Sequence, residues 1–175
     1  KKTPSTMLGF LPTVRFLPDD LQLFRGAPAL RRRFLDDLLS QVSPGYARTL
    51  SQYQRLLRQR AGVLRSLADG RSSIAELRPW DMQVAEAASI ITVARLELLE
   101  TLGLTLPQEL QTLGERWNEV RLVYVRETQS RLQRELLNEL LQLLERNRTR
   151  DIAVQATTVG PHREDWHVHV DGHCL

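Results

Sequence analysis

Internal lysine is missing from this chain: Lys1 and Lys2 are the only two, and the rest of its 24 basic residues are arginines. A phosphate-binding loop needs a lysine that reaches the β and γ phosphates, and a Schiff-base enzyme needs a lysine amine, so neither chemistry is complete here. Cysteine is scarcer still. Cys174 stands alone, which excludes an intramolecular disulfide framework and makes a reducing, cytoplasmic setting the expectation. Apolar runs stay short of the roughly 18 residues that mark a membrane span, and the start carries no signal-peptide pattern, so no membrane partner is expected. What remains is 175 residues, 42% hydrophobic and 26% charged, with a formal charge of +3. That is enough apolar material for one domain's core, and it excludes global disorder. The chain starts without methionine and ends just after a strand-like segment, so a piece of a longer protein is expected.

Residues 11–17 are apolar and alternating between Pro12 and Pro18, the pattern of a strand. Pro18-Asp19-Asp20 then opens a helical turn that Gly26 closes, and Ala27-Pro28 starts a helix with Leu30, Phe34, Leu35, Leu38 and Leu39 as one buried stripe. Ser43-Pro44 supplies an N-cap and a first-turn proline for the next helix. Over residues 46–67, Tyr46, Leu50, Tyr53, Leu57, Ala61 and Leu64 recur every three or four positions as a buried face. Arg48, Arg55, Arg58 and Arg65 fall within an arc of about 100° on the far side. A long helix is expected from Pro79 to about residue 102, stopped by Gly103. The alternating, β-branched run 120–125 reads as a strand, and the leucines from Leu132 to Leu144 cover about half of a helix circumference. Residues 153–159 and 166–170 read as strands, the second closed by the turn signal Asp171-Gly172. The organisation is strand, helical middle, strands: an α+β, mainly α chain, expected as a helical lobe of several antiparallel helices inserted into an α/β parent.

His167, His169, Asp171, His173 and Cys174 cluster near the end, but their spacing matches no zinc signature, so no metal site is assigned. The carboxylate pairs Asp19-Asp20 and Asp36-Asp37 are explained by helix starts and solvated faces, and no serine sits in a nucleophile elbow. No catalytic residue is assigned. Arginine is the informative residue. Residues 25–71 hold ten of them against three carboxylates, a local charge of +7 that leaves −4 for the remainder. Such a surface suits the phosphates of a nucleic acid or an anionic protein, the alternative being a solvated face in an arginine-rich composition.

Several landmarks are more specific. Phe16-Leu17-Pro18-Asp19-Asp20-Leu21, Gly26-Ala27-Pro28 and Arg31-Arg32-Arg33-Phe34-Leu35-Asp36 resemble the segment of the RecF family where the ATPase head gives way to its helical lobe. In order along the chain, Leu56-Leu57-Arg58-Gln59-Arg60 resembles the family's LLKQRN-type helix. Leu77-Arg78-Pro79-Trp80-Asp81 is similar to its LRPWD-type helix start, and Thr158-Val159-Gly160-Pro161-His162-Arg163-Glu164-Asp165 to its GPHRDD element.

The resemblance implies an ABC-type, SMC-like recombinational-repair ATPase that binds ATP with Mg2+, dimerises when it does, and recognises double-stranded and gapped DNA. It also implies work with RecO and RecR in placing RecA on DNA, and support for replication and the SOS response, at the nucleoid. The family's phosphate-binding loop, signature motif and acidic Walker B strand have no match here, so this segment is expected neither to bind ATP well nor to hydrolyse it. Residues 1–24 would then end the head strand and make a Q-loop-like connection through Pro18, Asp19, Asp20 and Gln22. Residues 25–154 would be the helical lobe, and 155–175 the returning strands. Arg31, Arg32, Arg33, His162 and Arg163 lie in matching elements and, with Arg48, Arg55, Arg58 and Arg65, are candidates for DNA contact or interlobe signalling. For the first three, the structural alternative is that one of them pairs internally with Asp36 or Asp20, helix spacing allowing Arg32 or Arg33 to meet Asp36. The competing function is a protein-docking or dimerisation lobe with no DNA binding of its own.

Overall fold

The computed structural model describes residues 22–115, 117 and 119–175. The expected strand at 11–17 and Pro18, Asp19 and Asp20 lie outside the described residues, and Gln22 is the first residue of α1 (Gln22–Arg25). There follow α2 (Pro28–Val42), α3 (Pro44–Ala68), a 3-10 turn (Ile74–Leu77), α4 (Arg78–Thr112), β1 (Val120–Val125), α5 (Gln133–Arg146), α6 (Arg148–Val154), β2 (Asp165–Val170) and β3 (His173–Cys174). The chain is α+β and mainly α, as its periodicities require. No described helix is long and apolar enough to cross a membrane.

Backbone contacts divide the chain into two compact units. The first takes in the described residues up to Ala47, with Ala94–Val125 and Glu164–Leu175. In it, β1 and β2 pair antiparallel from Val120 opposite Val170 to Val125 opposite Asp165, with β3 on the far edge of β2. Alternation puts Val120, Leu122 and Tyr124 on the face shared with Trp166, Val168 and Val170, and that face packs with Leu35 of α2 and Leu99 of α4. The hairpin from β2 to β3 turns at Asp171 and Gly172, both at positive φ (48° and 82°), which is the turn chemistry this dipeptide supplies.

A second buried feature of this unit is polar. The Arg95 guanidinium, on α4, grips both oxygens of Asp36 (Nη2 to Oδ1 2.8 Å and to Oδ2 3.0 Å) and donates to the Tyr124 hydroxyl, while Tyr46 donates to the same carboxylate at 2.5 Å. Burial pushes both tyrosine hydroxyls above the usual phenol range, so they remain donors. Burial also opposes the charge of Arg95, but Tyr124 and Asp36 outweigh it and hold the guanidinium protonated. Asp36 therefore serves neither Arg32 nor Arg33.

The second unit comprises Arg48–Val93 and Arg126–Arg163. Its buried apolar residues include Tyr53, Leu56 and Leu64 of α3, Val84, Ala85, Ala88 and Ile91 of α4, and Leu136, Leu140, Leu143 and Leu144 of α5. The α3 helix starts as expected, with the Ser43 hydroxyl accepting from the Tyr46 amide (3.1 Å). Before α5, Glu139 accepts from the amides of Gln129 and Ser130 and from the Ser130 hydroxyl, fastening the entering loop.

Three expectations fail. Of the stripe expected to be buried on α2, Leu35 and Leu39 are buried and Leu38 half-buried, whereas Leu30 and Phe34 are exposed. The long helix does not stop at Gly103: α4 continues through Gly103 and Pro107 to Thr112. A mid-helix glycine costs only about 1 kcal/mol relative to alanine, and the hydroxyls of Thr101 and Thr105 bond back to carbonyls within the helix. The cap is Gly114, at φ 86°, where the Glu115 amide reaches back to the Leu110 carbonyl in the manner of a left-handed C-terminal cap. Nor do residues 153–159 form a strand. α6 runs to Val154 and Gln155 caps it at φ 56°. The β-branched residues that follow are fixed from the side: the Asp151 carboxylate accepts from the Thr158 amide (2.9 Å) and from its hydroxyl (2.6 Å). Those bonds replace a strand ladder.

A candidate nucleic-acid interface

α3 presents two opposed faces. Tyr53, Leu56 and Leu64 lie on the buried side, and Arg48, Arg55, Arg58 and Arg65 are exposed on the other. None of these four arginines has a hydrogen bond or an ion pair with any described residue. Over the whole second unit, fourteen arginines face nine carboxylates. The four arginines thus form an unopposed cationic row on a helix whose other side is locked into the core.

The lock contains a fifth arginine. Arg60 sits on the buried face with no exposed side-chain surface, its Nε 2.7 Å from Asp81 Oδ1 and its Nη1 2.7 Å from Asp151 Oδ2 and 2.9 Å from Thr157 Oγ1. A guanidinium buried alone would cost several kcal/mol, so it stays only where carboxylates meet it. Nearby, the Nε2 of His162 lies 2.9 Å from the Thr157 carbonyl, an atom that can only accept, so Nε2 carries the proton. Nδ1 then accepts from the Tyr53 hydroxyl at 2.7 Å. That hydroxyl also approaches the Gly160 Cα so closely that an added Cβ would sit 2.9 Å from it, and Gly160 is at φ 110°. Only glycine fits there.

The sequence candidates therefore fall into separate groups. Arg48, Arg55, Arg58 and Arg65 form the exposed row. Arg31 is buried in the first unit, where it holds Asp165 in bidentate fashion (Nε to Oδ1 2.9 Å, Nη2 to Oδ2 2.6 Å) and donates to the Gly26 carbonyl. The Asp165 carboxyl feels opposing influences: burial raises it, while the Arg31 bond and the Trp166 amide outweigh that and hold it below its usual range. Trp166 returns a bond from its indole nitrogen to the Arg31 carbonyl (2.8 Å). Arg32, half-buried, donates to the Glu164 carbonyl (3.0 Å). Arg33 is exposed, 3.4 Å from Asp37. His162 is half-buried in its bonds, and Arg163 is exposed. Among the described residues no group of histidine, cysteine and carboxylate side chains could hold a metal ion.

Sequence reasoning counted Arg60 with the basic surface. The signal against that was its place seven residues after Tyr53 and four before Leu64, inside the apolar stripe, where a charge must have a buried partner. The same signal marks Arg95, four residues before the buried Leu99.

No protein-family model matches the chain. It is similar to the DNA replication and repair protein RecF of Heliobacterium modesticaldum, with 38% identity over 165 residues that cover 91% of this chain and 43% of that protein. It is similar to RecF of Moorella thermoacetica at 35% identity, covering 95% of this chain and 43% of the relative, and to RecF of Streptococcus suis at 34%, covering 96% and 46%. Two solved structures of the recombination mediator protein RecF, described as RecF-ATPrS and RecF-ATP in the RecFOR pathway, superpose with TM-scores of 0.90 and 0.88 at 26% identity. They cover 99% and 96% of this chain, which covers 47% and 45% of theirs. The chain spans a little under half the length of the curated relatives it matches. With RecF sequences aligned over 91–96% of its residues and RecF structures matching it at TM-scores of 0.88 and above, the chain belongs to the RecF family as a segment of that longer protein.

Proposed function

We propose that this chain is the helical lobe of a RecF-type DNA replication and repair protein, and that the arginine row of α3 meets DNA phosphates. One observation carries the reading: four exposed arginines without a partner among the described residues, spread over about 25 Å of one helix at 1.5 Å per residue. Guanidinium groups bind phosphate in two-pronged fashion and keep their charge at any physiological pH. Contacts of this kind neutralise the backbone without reading bases, so the lobe binds duplexes of unrelated sequence alike. Arg163 of the same unit and Arg33 of the other are also exposed, and each serves DNA contact or signalling between lobe and head. Arg31, Arg32 and His162 act from inside the fold.

In the parent protein the lobe comprises residues 25–154, residues 155–175 return toward the head, and Gln22 belongs to the connection between them. ATP with Mg2+ binds outside this segment, whose only lysines are Lys1 and Lys2, and no nucleotide step is assigned to its residues. The parent is an ATPase that forms a homodimer, acts on double-stranded and gapped DNA at the nucleoid, and works with RecO and RecR to load RecA in recombination and the SOS response. The relatives' names and the RecFOR description of the two solved neighbours support this reading.

The test is fluorescence anisotropy of the chain with labelled duplexes of unrelated sequence at low salt, beside an Arg48/Arg55/Arg58/Arg65→Ala variant. Binding of every duplex by the native chain, weakened more than about tenfold in the variant, is expected from the loss of four phosphate contacts. Equal binding by the two proteins, or none by either, would leave the row as a protein-docking face.

A further inference from the structure

Next to the arginine row lies a groove of about 340 Å³ within the second unit. One wall is α3, through Gln59, Gly62 and Ser66, and the other is made by Arg71, Ser72, Glu76 and Trp80. At 100° per residue the α3 residues of this wall fall in the sector that overlaps and borders the arginines, so groove and row share a surface. Gly62 leaves the wall low. The Arg65 guanidinium reaches back toward it, with Nη2 3.9 Å from where a Cβ would stand, and so hangs at the rim.

The lining is selective. Trp80 is half-buried, its indole N–H has no partner among the described residues, and it is in neither of the close aromatic pairs described. Glu76 accepts from the Ser73 amide at 3.1 Å. That bond, with further hydrogen bonds from serine side chains, holds its carboxyl below the usual range, so it is charged. The groove also carries Arg71, whose charge is met by Asp69, so the Glu76 carboxylate disfavours a phosphate inside while Arg65 at the rim attracts one. The Trp80 indole in the same lining favours a flat, uncharged ring with amide and amino groups on its edge.

We propose that this groove takes one unpaired nucleobase, stacked on Trp80 with its polar edge toward Gln59 and Glu76, while the flanking phosphates lie on Arg65 and the row. This deepens the nucleic-acid reading of α3 and rests on it: the row supplies affinity for any backbone, and the groove adds affinity for a strand whose bases are free.

Gly62→Leu fills the groove and removes no arginine. The Cβ it adds meets only the end of the Arg65 side chain, at 3.9 Å, and leucine suits a helix interior better than glycine. Anisotropy with a labelled short oligodeoxyadenylate and with a blunt duplex, at one low salt concentration, then compares the native chain, Trp80→Ala and Gly62→Leu. Stacking of a base on an aromatic side chain predicts that each variant loses about tenfold in affinity for the single strand while duplex binding changes less than about twofold. Single-strand affinity unchanged in Gly62→Leu, lowered equally for strand and duplex, or missing from the native chain overturns the groove. If only the single strand binds, and does so through Trp80, the groove stands and the duplex part of the functional reading falls.

Discussion

Arg60 Nη1 stands 2.7 Å from the Asp151 carboxylate, across 91 residues of sequence, and the same nitrogen reaches Thr157 Oγ1 at 2.9 Å. Asp151 spends its other oxygen on Thr158. One buried carboxylate thereby fixes both the underside of α3 and the loop leading to Gly160, and the arginine row is aimed outward by what happens on its opposite side.

Asp151→Ala leaves the Arg60 charge buried with half its partners and releases Thr158. A loss of about 3–5 kcal/mol in unfolding free energy is expected, measured by urea denaturation. Asp37→Ala, which removes an exposed partner of Arg33 on α2, is expected to change stability by less than about 0.5 kcal/mol.

Acid sensitivity follows from Asp165. Its carboxyl is held below the ordinary value of 3.8 by the Arg31 bond and the Trp166 amide, against the opposing effect of burial. A depressed folded-state value means that the stabilisation is complete above the ordinary carboxylate range and is lost as pH falls through the folded-state value. Asp165→Asn is therefore expected to be less stable than the native chain at neutral pH, with the gap narrowing below about pH 4. A stability difference that does not vary with pH would show that the charge of Asp165 contributes nothing.

Tyr53 and Gly160 are coupled by contact. Tyr53→Phe removes the bond to His162 and is expected to cost about 1 kcal/mol. Gly160→Ala places a methyl 2.9 Å from the Tyr53 hydroxyl at φ 110° and is expected to cost more. In the double variant the clash is gone and the backbone strain remains, so thermal unfolding should show a total smaller than the sum of the single losses.

Gly103 lies within α4 with open space where a Cβ would be. Gly103→Ala is therefore expected to raise stability by up to about 1 kcal/mol. A helix that ended at Gly103 would show no gain.

Much of this architecture is written in local periodicity. The alternation of 120–125, the stripe of α3, the serine and proline that start it and the Asp171-Gly172 turn all follow from side-chain spacing and backbone preference. Two of the misreadings have a common cause: Gly103 and the β-branched residues of 153–159 carry local preferences that longer-range bonds or the rest of a helix override. The stripe marks Arg60 as buried, but the partners of Arg60 and Arg31 are not legible, because Asp151 and Asp165 lie far along the chain and no periodicity links them. The landmarks LLRQR, RPWD and TVGPHR contribute Arg60, Asp81, Thr158, Gly160 and His162 to the same buried locks. The residues that make the chain recognisable are thus largely those that hold it together, whereas the groove beside Trp80 is formed by a wall and a turn that no single motif contains.

The arginine row itself is tested most directly by the salt dependence of duplex binding. Each phosphate contact contributes about 0.9 to the slope of log affinity against log salt. The native chain is expected to show a slope steeper by about 3 to 4 than that of Arg48/Arg55/Arg58/Arg65→Ala. Identical slopes in the two proteins would contradict the account, because four arginines that touch phosphate cannot be removed without releasing fewer counterions.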